Sequence, residues 1–184
     1  MAKQSKKVTG QTVIDVSDLP AGREVSVSLV PDSAQLAEGA AQLDVLGLQK
    51  LRLEGRLVPE GRKDWTLRAK LGATVTQACV VTLAPVRTRI EEDVLRKFVA
   101  DWQEAEGDSV VEMDEDVESE PLTREIDLMA IALEGVALAM PDYPRAGDAD
   151  LGEAVFAEPG VEAMTDEAAK PFAGLAALKA KMEE

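Results

Sequence analysis

The chain has 184 residues, enough for one ordinary domain and a tail, with 46% apolar residues but only 3% aromatic ones, so its core must be built from Leu, Val, Ala and Ile. There is no histidine and one cysteine, Cys79, which removes the usual general base, the Ser-His and Cys-His nucleophile pairs, the commonest zinc ligand and any internal disulfide. The formal charge of −15 is uneven: residues 1–102 hold 15 basic and 13 acidic side chains, residues 103–184 hold 5 and 22. A near-neutral, locally basic front half therefore precedes a strongly acidic back half, which should repel nucleic acid and attract basic proteins, or else serves solubility alone.

Residues 1–12 read as a flexible basic leader. Met-Ala-Lys-Gln-Ser-Lys-Lys is followed by no apolar run, so it is not a signal peptide, and no stretch approaches the roughly 20 apolar residues of a membrane helix. A cytoplasmic protein is expected. A first strand is predicted at Glu24–Val30, where Val25, Val27 and Leu29 alternate with polar neighbours. Pro31-Asp32-Ser33 opens a helix with a capping side chain, Leu36, Ala40 and Leu43 give its apolar stripe, and Gly47 is its expected stop.

Leu48–Val58 alternates as a strand, with Leu51, Leu53 and Leu57 on one face and Lys50, Arg52, Glu54 and Arg56 on the other. A turn at 59–63 leads to a partner strand, Trp65–Leu71, with Trp65, Leu67 and Leu71 opposed to Thr66, Arg68 and Lys70. After a Gly72-Ala73 step, Thr74–Leu83 reads as a further strand ending in a turn at Pro85. The run from Val86 to Trp102 fits helix or strand, since Ile90, Val94, Phe98 and Trp102 recur every fourth residue. The charged alternation of Arg87, Arg89, Glu91 and Asp93 favours the strand.

Gln103–Glu120, with nine acidic residues and no basic one, is expected to be a mobile loop. Asp127 should cap a helix over Leu128–Met140 whose apolar residues lie all round, so broad burial is predicted, with Pro141 as the stop. The domain organisation predicted is a leader at 1–12, one α+β domain at 13–145 and an acidic tail at 146–184 ending in a short amphipathic helix, 171–183. The fold class is α+β: an antiparallel or mixed meander packed with two helices.

The run Thr-Gln-x-Cys-Val-Val-Thr-Leu-x-Pro-Val at 76–86, Glu125-Ile126-Asp127-Leu128 with Glu134 and Leu138, and the closing Pro171-Phe172-Ala173-Gly174-Leu175-Ala176-Ala177-Leu178-Lys179 together resemble the large ribosomal RNA subunit accumulation (YceD) family, in the form usual among alphaproteobacteria. The resemblance covers roughly residues 25–145 and the last 15 or so. It implies a non-enzymatic factor in the synthesis, processing or stability of large-subunit ribosomal RNA, a ribosome-biogenesis role. Many relatives carry Cys-x-x-Cys where this chain has Cys79-Val80-Val81-Thr82, and a second cysteine pair beyond Pro144. With Thr82 in the second position and no cysteine after Arg145, no zinc site is expected here, and no cofactor.

Cys79, on an apolar run, reads as a small buried hydrophobe rather than a reactive thiol. Asp127 and Glu134 share a helix face as a formal carboxylate pair, but Asp127 reads better as a cap, and no residue pair nominates a reaction. The candidate RNA-binding strip is Lys50, Arg52, Arg56, Arg68, Lys70, Arg87 and Arg89, positioned for phosphate contact without base reading. Its bland counterpart is the solvated side of an amphipathic sheet, balanced by Glu54, Glu60 and Asp64. Phe172, Leu175, Leu178 and Lys179 are candidate partner-binding residues, if the terminal helix does not fold back. Two partners compete: ribosomal RNA, held by the strip, or a basic ribosomal or assembly protein, held by the acidic back half without direct RNA contact.

Overall fold

The computed structural model describes residues 6–102 and 118–150. The chain divides into two units, Met1–Gly147 and Asp148–Glu184, and every described helix and strand lies in the first. The strands are β1 (Lys6–Thr9), β2 (Val13–Asp15), β3 (Val25–Leu29), β4 (Gly47–Glu60), β5 (Asp64–Ala78), β6 (Pro85–Val99), β7 (Glu118–Pro121) and β8 (Glu125–Asp127). The helices are α1 (Ser33–Gln42) and α2 (Leu128–Ala139). The main sheet has the order β1-β3-β4-β5-β6-β7; β2 and β8 form a separate two-stranded sheet. The centre is antiparallel, while β1 runs parallel to β3 and β7 parallel to β6, so the sheet is mixed and the fold α+β.

Register explains the core. Leu53, Leu57, Leu67, Leu71 and Ala73 lie on one face of β4 and β5, fully buried, together with Val25, Val27 and Leu29 of β3. The helices pack on this face: Leu128, Ile131, Ala132, Leu133 and Val136 of α2 are buried, whereas Leu138 is 73% exposed. The broad burial expected of α2 is therefore one-sided, because the helix has the sheet beneath it and water above. Ile14 of β2 pairs with Ile126 of β8, both buried, and Leu128 N–H donates to the Thr12 carbonyl at 2.7 Å, tying the entry of α2 to the chain start.

Both helix starts follow the sequence. Asp32 accepts from the N–H groups of Ala34 and Gln35 while the Gln35 side chain accepts from Asp32 N–H, a reciprocal cap. Asp127 accepts from Met129 N–H at 2.8 Å and Ala130 N–H at 3.0 Å. Asp127→Ala is expected to lower unfolding free energy by about 1 kcal/mol in urea titrations, and Asp127→Asn by less.

Several expectations change. Part of the predicted leader, Lys6–Thr9, is a strand: the open edge of β3 supplies the pairing, and Val8 reaches the core. The first helix stops before Gly47, with Asp44 in the left-handed region at φ 51°, and Gly47 opens β4 instead. A bulge between Gln49 and Arg52, with Lys50 at φ 52°, lets Leu48 and Leu51 both face the core. No break occurs at Gly72-Ala73, so Trp65–Leu71 and the run after it form one strand, ending at Ala78 rather than Leu83. Cys79–Ala84 is a turn, closed by Cys79 N–H to the Ala84 carbonyl at 2.8 Å and Leu83 N–H to the Cys79 carbonyl at 2.9 Å. The run from Val86 is the expected strand. The tail of the predicted acidic loop, from Glu118, is β7; residues 103–117 of that loop lie outside the described residues, as does the terminal helix 171–183.

Candidate functional site

Among the described residues, neither helix packs on the other face of the main sheet. The register puts Arg52 and Arg56 of β4, Arg68 and Lys70 of β5, and Arg87 and Arg89 of β6 on it, with Lys50 exposed at the bulge beside them. Alternation alone does this, since each cation is two or four residues from the next along its strand. Lys97, absent from the predicted strip, joins the same face at the far end, within 3.6 Å of Glu60.

Four of the seven predicted cations already meet carboxylates. Arg52 reaches Glu91 at 3.3 Å, Arg56 reaches Glu24 at 3.3 Å, Lys70 reaches Asp93 at 2.9 Å, and Arg89 pairs with Glu91. Glu91 is held below the usual carboxylate range, first by the hydrogen bond from Arg89, and Lys70 is raised, first by the hydrogen bond it donates to Asp93. All these groups are well exposed, so solvent screens the pairs, which are weak and exchangeable for another anion. Gly72 makes room for the Arg52–Glu91–Arg89 cluster: a Cβ there would sit 2.7 Å from an Arg89 nitrogen and 2.9 Å from Arg52 Nε.

Lys50, Arg68 and Arg87 have no ion pair among the described residues. Arg68 stands directly across from Arg56, a like-charge pairing that is unfavourable unless an anion intervenes. The two line a shallow groove of about 660 Å³ with Glu24, Glu54, Lys70 and Asp93. Arg87 lies across from Thr76, and Arg89 across from Thr74. Chemically, this face offers exposed guanidinium and ammonium donors for an extended anion, interrupted by carboxylates, and no nucleophile.

The other predicted residues separate. Cys79 is buried as expected, though in the turn rather than on the strand. Its Sγ accepts N–H groups from Val81, Thr82 and Ala146 at 3.4–3.5 Å. Hydrogen bonding from the Thr82 side chain first, then from the Ala146 N–H, lowers the thiol to about 6. With Val80 N–H donating to the Pro144 carbonyl at 2.9 Å, the turn is fastened to residues 144–146. Hydrogen bonds and packing join the two segments, and the donors do not fit a metal: one thiol, no imidazole, and a threonine in the second position. Asp127 and Glu134 do not act together. Asp127 caps, whereas Glu134 grips Arg96, a buried residue missing from the predicted set although it shares the parity of Ile90, Val94 and Phe98. Phe172, Leu175, Leu178 and Lys179 lie outside the described residues.

The fold and this face define an α+β protein with a charge-studded sheet. The chain belongs to the family described as large ribosomal RNA subunit accumulation protein YceD, whose match spans residues 67–179, more than half of its length. That family is one of ribosomal RNA accumulation and not a known enzyme family, which ties the chain to ribosome biogenesis. No curated protein and no solved structure matches the chain. Among the described residues, no helix is long and apolar enough to cross a membrane.

Proposed function

We propose that the protein is a cytoplasmic, non-enzymatic factor in the synthesis, processing or stability of large-subunit ribosomal RNA, and that it contacts RNA phosphates through the charged face of its sheet. The observation that supports this best is the facing of Arg56 and Arg68 across β4 and β5, with Arg68 free of any carboxylate among the described residues. A phosphate between them would relieve their repulsion and accept from both guanidinium forks. The exposed ion pairs around them yield to phosphate at little cost.

Five engaged phosphates give a slope of log affinity against log salt of roughly −3.5 to −4.5. Arg56→Ala/Arg68→Ala should weaken binding alike for all sequences and reduce the slope by about 1 per residue removed. Absence of RNA binding at low salt, or a slope unmoved by that double variant, overturns the reading.

A second reading is favoured by the carboxylates that already hold four of the seven cations. In it the acidic back half binds a basic ribosomal or assembly protein, and RNA is affected indirectly. Ribosomal-protein partners that survive nuclease treatment in a pulldown, and are lost on deleting 103–120, would decide for it.

A further inference from the structure

We propose that the free edge of β6 is a self-pairing surface, through which two copies of this chain join their sheets antiparallel about a two-fold axis at Ile90. β5 covers one edge of β6 from Pro85 to Phe98, whereas β7 covers the other only from Arg96 onward. Residues 85–95 thus present a row of backbone N–H and C=O groups with no strand beside them among the described residues. The midpoint of that row is Ile90.

The side chains are arranged about the same point. The strand reads Val86-Arg87-Thr88-Arg89-Ile90-Glu91-Glu92-Asp93-Val94, cationic before Ile90 and anionic after it. Turned antiparallel on a second copy with Ile90 opposite Ile90, Arg87 faces Asp93, Arg89 faces Glu91 and Val86 faces Val94, each contact made twice by symmetry. Other alignments fail on charge. Parallel in-register pairing sets every like charge against itself. Moving the axis to Thr88 puts Arg87 against Arg89, and moving it to Glu92 puts Glu91 against Asp93. Charges scattered on an edge normally prevent pairing; here their order selects one register.

Arg87 lacks a carboxylate within the described residues and gains one in this arrangement. On the helix side, a groove of about 400 Å³ runs between Val94 and the Gly135–Leu138 segment of α2, beside the exposed Leu138. Val86 of the second copy falls opposite Val94, at the mouth of that groove. The proposal does not depend on RNA binding.

The full chain, freed of nucleic acid, tests it by sedimentation or light scattering. Mass should rise from 19.7 kDa towards twice that with concentration, and fall back with added salt. Arg87→Asp/Arg89→Glu leaves the edge wholly acidic, and Glu91→Arg/Glu92→Gln/Asp93→Arg leaves it wholly basic. Each variant alone should stay monomeric with unchanged circular dichroism, and a mixture of the two should give a 1:1 dimer. A wild-type chain that is monomeric at every concentration overturns the proposal, as does a single-sign variant that dimerises like wild type. Amide exchange across 86–95 that is slow in the monomer would mean that the chain's own residues cover the edge, and would overturn it too.

Discussion

Gly55→Ala is expected to destabilise the domain by more than about 3 kcal/mol, beyond the usual range for an extra methyl in a packed site. Gly55 lies in the middle of β4, opposite Val27 on one side and Ala69 on the other. A Cβ there would land on the Arg68 carbonyl oxygen, and 2.5 Å from Ala69 Cα. The obstacle is backbone of the neighbouring strand, which cannot rotate out of the way as a side-chain tip can. Relief requires β4 and β5 to move apart where Glu54 faces Lys70 and Arg56 faces Arg68, so ladder bonds on both sides are lost together. Gly61→Ala is the control. It has φ 61° and nothing within 4 Å of its would-be Cβ, so its cost is the left-handed penalty alone, roughly 1–2 kcal/mol. Urea midpoints for the two variants separate the effects. A Gly55→Ala protein no less stable than Gly61→Ala would show that the strands do not approach so closely.

The strong alternation in β4 explains why so much of the sheet could be read beforehand. Leu53 and Leu57 against Arg52, Glu54 and Arg56 leaves only one strand orientation that buries leucine and exposes charge, and Asp32 and Asp127 announce both helices through local backbone bonds. What was not legible depends on residues far away in sequence. Gly72 looks like a break until Arg52 and Arg89, from two other strands, are seen to lie across it. The strip of cations was predictable from parity within each strand, but not which carboxylates meet it: Glu24, Glu91 and Asp93 do, rather than the expected Glu54, Glu60 and Asp64. Glu91 and Asp93 reach Arg52 and Lys70 only through the β5–β6 register, which no local pattern specifies. Lys6–Thr9 has little apolar content to mark it as a strand; its partner's open edge makes it one. Arg96 was missed for a different reason. Its charge argued for the surface, while its even spacing from Ile90, Val94 and Phe98 put it on the core face.

That misplaced charge carries the second large effect. Arg96 keeps only 10% of its side chain exposed and donates to both Glu134 oxygens, at 2.7 and 2.9 Å, so a buried cation on β6 is clamped to the middle of α2. Removing the acid, by Glu134→Ala, leaves that cation with the more distant Glu120, at 3.8 Å, and is expected to cost about 2–3 kcal/mol. The figure lies below the usual cost of breaking a fully buried pair because Glu134 itself is 48% exposed and water can reach the vacated side. Arg96→Met/Glu134→Leu removes both charges and should return to within about 1 kcal/mol of wild type, since neither desolvation nor an orphaned ion remains. Acidity tests the same contact. The hydrogen bonds from Arg96 are the chief cause holding the Glu134 carboxyl below its ordinary value of 4.5. A depressed folded value means that the stabilisation is complete above about 4.5 and is lost as the pH falls through the lower folded value. The wild type should therefore lose stability more steeply below pH 4.5 than Glu134→Gln does. Equal acid slopes, or a double variant as unstable as the worse single one, would mean that apolar packing of Leu128, Ile131, Ala132 and Val136 holds α2 to the sheet without help from this pair.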